Sequence, residues 1–177
     1  MPTISEGKLL FTFPETWTAS KLDEWSFYRN QFQSVCGGTK AIDILAIDHR
    51  CCWQIEIKDY RQHPRTKAID LAEEIAEKVR DCLAMLVAAA FNANDQLEKT
   101  MARDAVCCTR LRVVLHLEQP MKHSKLFPRA IDPAKVQLRL RQLLKAIDPH
   151  PLVLDKSSRG AVGWIVRDVQ DSSGGCL

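Results

Sequence analysis

Residues 43–58 read DILAIDHRCCWQIEIK, two apolar runs interrupted by Asp43, Glu56 and Lys58. A charge inside a buried strand is costly unless it is paired or functional. Side chains alternate faces along a strand, so Gln54, Glu56 and Lys58 share one face. A turn centred between His49 and Arg50 places Asp43 directly opposite Glu56, with Cβ atoms about 4.5–5.5 Å apart, and Lys58 becomes the diagonal neighbour of Asp43. Two carboxylates and one ammonium thus converge on one spot. The carboxylates repel and raise one another's pKa, a conflict that a divalent cation removes. Mg²⁺ prefers oxygen ligands and is commonly held by one or two carboxylates plus substrate phosphate. A nearby lysine can orient or activate the attacking water, so the three residues supply the parts for metal-assisted phosphodiester hydrolysis. The competing reading is a buried ion-pair network without catalysis.

Asp48 ends the same tripeptide as Asp43 but lies five residues further on. It points to the other face and reads as a turn residue. Tyr60 keeps the parity of Glu56 and Lys58 and would border a substrate cleft, with Arg61 on phosphate; a solvated strand end is the alternative. Segment 121–145 carries Lys122, Lys125, Arg129, Lys135, Arg139, Arg141 and Lys145 against the single acid Asp132. Such a local excess suits a phosphate backbone, although a soluble helix with a basic outer face has the same pattern. Most of Glu73, Glu74, Glu77, Lys78, Arg80 and Asp81 read as the solvated face of a long helix, with one acid or base near the strand ends as the alternative addition to the site.

The elements that must position these residues follow from periodicity and punctuation. KLLFTF (8–13) is a strand stopped by Pro14, and 18–34 reads as a helix ended by Gly37-Gly38. Strands are expected over 39–48 and 51–58, then a long helix over 65–91 and a shorter one over 96–105. A strand runs through 109–120. Asp132-Pro133 opens a helix to about Ile147, and strands near 151–154 and 161–169 close the order. Mixed elements in this order point to an α/β sheet with helices packed on its faces. The expected organisation is one domain over 1–170 with a disordered tail at 171–177.

With 177 residues, 46% hydrophobic and 27% charged, the chain can build a sizeable core. A net charge of +3 does not itself demand a nucleic-acid partner. Seven cysteines in no CxxC spacing fit neither a zinc ribbon nor a disulfide framework; reduced, mostly buried thiols in a cytoplasmic protein are expected. The longest apolar run, 83–91, is too short to span a bilayer.

The pattern KAIDILAID…CWQIEIKDYR resembles the metal-binding core of the PD-(D/E)xK, or restriction-endonuclease-like, nuclease superfamily. Asp43 matches the first acid, Glu56 the second and Lys58 the lysine; Ile42 stands where the family name has Pro. The resemblance covers roughly residues 20–118. It implies a restriction-endonuclease-like mixed sheet flanked by helices and a Mg²⁺- or Mn²⁺-dependent nuclease acting on DNA. Asp43, Glu56 and the Ile57 carbonyl would hold the metal, and Lys58 would position the water. An extra acid on the first helix would be Asp23 or Glu24. Tyr60, Arg61, Lys122, Lys125, Arg129 and Arg139 would contact the nucleic acid. A homodimer or a subunit of a larger system fits such an enzyme. The alternative is an inactive subunit of the same fold that binds nucleic acid or protein.

Overall fold

A computed structural model describes residues 1–120, 131–158 and 160–169. The strands are β1 (Thr3–Glu6), β2 (Leu9–Thr12), β3 (Thr18–Lys21), β4 (Ile44–Ile47), β5 (Cys51–Asp59), β6 (Arg110–Glu118), β7 (Leu152–Leu154) and β8 (Ile165–Asp168). The helices are α1 (Leu71–Asn92), α2 (Gln96–Cys107) and α3 (Pro133–Leu143). A five-stranded sheet has the order β3-β4-β5-β6-β7, and a small sheet the order β1-β2-β8. In the larger sheet β3, β4 and β5 form an antiparallel meander, while β5, β6 and β7 run parallel. The parallel pairs require crossovers, which α1 with α2 and then α3 supply.

The sheet buries two unlike faces. Leu45, Cys52, Val113, Leu115 and Leu117 pack with α1, α2 and α3. Ile44, Ala46, Ile55, Ile57 and Val114 pack instead against Leu9, Phe11, Phe13 and Trp164 from the small-sheet side. The chain is therefore α/β with a mixed sheet, but its long helices lie on one face and a second sheet covers the other.

Each helix starts where an aspartate can cap it. The Asp70 carboxylate accepts from the Ala72 and Glu73 N–H groups, Asp95 from Leu97 and Glu98, and Asp132 from Ala134 with Pro133 at the first position. The Asp70 cap also explains why α1 begins at Leu71 and not at 65. Residues 18–34 depart further from the expected helix. Thr18–Lys21 is an edge strand paired with Ile44–Ile47, the third meander strand, and only short 3₁₀ and π turns follow at Leu22–Glu24 and Tyr28–Phe32. The Leu22 N–H donates to the Asp43 carbonyl, so strand pairing captures the residues that sequence pattern assigns to the helix start. Gly37 and Gly38 end the unit at φ 88° and 119°, a region that favours glycine.

Described cysteines are free: Cys51, Cys52 and Cys82 are buried, whereas Cys36 and Cys107 are exposed. Among the described residues no helix is long and apolar enough to cross a membrane. The expected tail at 171–177 lies outside the described residues.

Candidate functional site

Register decides whether the three charges meet. Ile44 pairs with Ile55 and Leu45 with Gln54, so the ladder continued by one residue sets Asp43 opposite Glu56. The turn is fixed by Asp48, whose carboxylate accepts from the Arg50 and Cys51 N–H groups at 2.8 Å each and from Trp53 Nε1 at 3.2 Å. Asp48 is thus the turn residue. Asp43 lies just before β4 and accepts the Ile57 N–H through Oδ2 at 2.6 Å.

The site is richer in cations than the sequence pattern suggests. Lys58 Nζ sits 2.7 Å from Glu56 Oε1. Lys78, from α1, reaches the same oxygen at 2.6 Å and lies 3.6 Å from Asp43 Oδ1. Lys58 also approaches Glu74 of α1 at 3.5 Å. Glu74 takes Arg65 Nη1 at 2.7 Å and Lys67 Nζ at 2.6 Å. Charges alternate through Asp43, Lys78, Glu56, Lys58 and Glu74 to the basic loop that precedes α1. Glu56 is 1% exposed and Glu74 2% exposed. Glu56 Oε2 is buried without a hydrogen-bond partner.

Burial governs the protonation of these groups. Desolvation, then the nearby Glu56 charge, pushes the Asp43 carboxyl up to about 7. Burial alone would lower Lys58 and Lys78, but the carboxylates around them outweigh it and hold both ammoniums above their usual value. For Glu74, burial opposes ionisation, yet hydrogen bonds from Lys67 and Arg65 bring the carboxyl down to about 2.

Glu74 and Lys78 are not on the solvated face assigned to them. The inward stripe of α1 includes Leu71, Glu74, Ile75, Val79, Cys82, Met85, Leu86 and Ala89, with half-buried Lys78 in the same stripe. Apolar spacing of three and four residues over 65–91 predicts a stripe through Ile69, Ala72, Ala76, Val79, Leu83, Leu86 and Ala90; of these Ala72, Val79, Leu86 and Ala90 are buried, whereas Ile69, ahead of the helix, is 36% exposed. The missed signal was the continuation of the 71/75/79/82 series, in which 74 and 78 fall on inward positions.

Other expected site residues scatter. Glu24 turns to Lys21 at 2.9 Å, so it does not join the cluster. Asp23 is half-buried, with Oδ1 lacking a partner. Tyr60 packs on the main core and its hydroxyl accepts from Arg65. Arg61 is held by Asp59 and Asp168. Arg139 pairs with Glu73 at 2.9 Å on the outer faces of α3 and α1. Lys122, Lys125 and Arg129 lie outside the described residues.

No family model matches the chain, and no solved structure matches it. A cysteine--tRNA ligase of Neisseria meningitidis serogroup A is 36% identical over 167 residues, covering 77% of this chain and 24% of the relative. The chain therefore spans about a quarter of the length of this relative. That similarity overturns the expected phosphodiester-hydrolysing nuclease, and with it the reading as an inactive nuclease subunit: the relative is named a cysteine--tRNA ligase and not a nuclease.

Proposed function

We propose that the chain is a tRNA-binding module of an enzyme, or of an enzyme assembly, that handles aminoacyl-tRNA chemistry. The observation that carries this reading is the 36% identity to part of a protein named cysteine--tRNA ligase. The surface chemistry is compatible. Helix α3 and its end present Lys135, Arg139, Arg141 and Lys145 to solvent, and Lys135, Arg141 and Lys145 make no ion pair among the described residues. Such a face binds a phosphate backbone through counterion release, without needing a sequence code. The Leu138 and Leu143 side chains are exposed between these cations and add apolar contact for unstacked bases or sugars.

The reading is tested by fluorescence anisotropy with labelled tRNA and a DNA duplex of equal charge. The expected result is tighter binding to tRNA, with a salt slope of about 0.7–0.9 per phosphate neutralised. Lys135→Glu/Arg141→Glu is expected to weaken tRNA binding at least tenfold while leaving the fold intact by circular dichroism. Equal affinity for the duplex, or no effect of the double reversal, refutes the module as described.

A further inference from the structure

The D…ExK pattern implies a divalent cation between Asp43 and Glu56, and the geometry around these residues does not fit one. Glu56 Oε1 already receives two ammoniums, Lys78 at 2.6 Å and Lys58 at 2.7 Å, while Oε2 is buried without a partner. Asp43 Oδ2 is committed to the Ile57 N–H, and its Oδ1 faces Lys78 at 3.6 Å. Among the described residues no third His, Cys, Asp or Glu joins them in a metal-holding group. Charge leads to the same conclusion. With both carboxylates ionised, Asp43 and Glu56 are balanced by Lys58 and Lys78, so adding a divalent ion would leave two positive charges in excess. All four side chains are at most 18% exposed, where an unbalanced charge is most costly.

We propose that Lys78 is the built-in cation of this centre, standing where a metal-dependent enzyme would hold its ion, and that it excludes divalent metal from the intact protein. The position of Lys78 explains why it can do so. Residue 78 lies one helical turn beyond Glu74 on the inward stripe of α1, so its ammonium is delivered over β5 by the same packing that buries Ile75 and Val79. Cys82, the next turn on, accepts the Ile42 N–H at 3.1 Å and pins the segment entering β4 to the helix. Lys78 is therefore held between two anchored elements and cannot leave without breaking its bond to a fully buried carboxylate. The inference does not depend on the tRNA reading.

Mn²⁺ titration followed by electron paramagnetic resonance tests it on wild type, Lys78→Met, Lys78→Gln and Lys78→Met/Asp43→Asn. Wild type is expected to leave Mn²⁺ free up to about 1 mM, which puts its Kd no lower than about 1 mM, the range of weak binding. Lys78→Met and Lys78→Gln are expected to gain binding by at least tenfold, and the added Asp43→Asn to abolish the gain. Thermal melts confirm that each variant is folded; should the Met variant unfold, the polar Gln variant, closer in hydrogen-bonding capacity, carries the measurement. Tight Mn²⁺ binding by wild type overturns the proposal. So does a folded Lys78 variant that gains none.

Discussion

Among the described residues Glu74 pairs with three cations, Lys58, Arg65 and Lys67, and neutralising it is the sharpest test of the network between β5 and α1. Glu74→Gln keeps size and helix propensity and removes one charge. Lys67, 61% exposed, would swing into water at little cost, because exposed ion pairs contribute about 0–1 kcal/mol. Arg65 and Lys58, 11% and 17% exposed, cannot, and breaking a buried pair costs about 3–5 kcal/mol. Linkage offers a second route. A carboxyl lowered from 4.5 to about 2 corresponds to roughly 3 kcal/mol at about 1.4 kcal/mol per pKa unit, and about 2 kcal/mol once screening at the Lys67 side is discounted. The expected loss is thus about 2–3 kcal/mol at pH 7, a large share of the 5–15 kcal/mol typical of a domain. The sign with pH is fixed: the native carboxyl is depressed, so its contribution is present above the ordinary value of 4.5 and is lost as pH falls toward 2. Urea unfolding from pH 3 to 7 measures it. A variant within about 0.5 kcal/mol of wild type at pH 7, with an unchanged acid limb, would refute the assignment of Glu74 as the anchor of the basic loop.

Two further outcomes follow from single contacts. Asp43 is raised from 3.8 to about 7, so the unfolded chain releases its proton first and stability falls as pH rises through that interval; Asp43→Asn should flatten the slope of urea stability between pH 4 and 7 by about 2–4 kcal/mol, and an unchanged slope would place the burden on another group. Gly163 leaves no room for a side chain, because a Cβ there would come within 2.9 Å of the Trp17 ring; Gly163→Ala should cost about 1–3 kcal/mol and shift tryptophan emission, whereas an unshifted spectrum would mean the loop gives way freely.

The hairpin was legible because its information is local. Alternation fixes the face and Asp48 fixes the turn, so the partner of Asp43 could be counted from sequence. The helix starts at Pro133 and Gln96 were legible for the same reason, an aspartate supplying the cap. Thr18–Lys21 was not, because its conformation is decided by pairing with β4, and a four-residue polar strand carries little periodicity of its own. In the small sheet β2 and β8 were legible, but β1 was not: it reads TISE and gains its place only through Leu9–Thr12. Glu74 and Lys78 were misassigned because charge argues for solvent, while helical phase argues for the interior. Here phase wins, since each charge finds an opposite one at the buried position.

That last conflict bears on how far an intact acid–acid–lysine pattern can be carried. The pattern specifies three side chains on two adjacent strands and says nothing of what the covering helix brings. A carboxylate pair presented to a neutral helix face remains an unresolved repulsion, which metal relieves. The same pair under Lys78 is partly relieved, and Lys58, bound to Glu56, also approaches Glu74 and so ties β5 to α1. The chemistry of the centre is therefore set by residue 78 as much as by 43, 56 and 58. One methylene-rich side chain from the adjacent layer separates a metal site from a structural charge network built on identical strands.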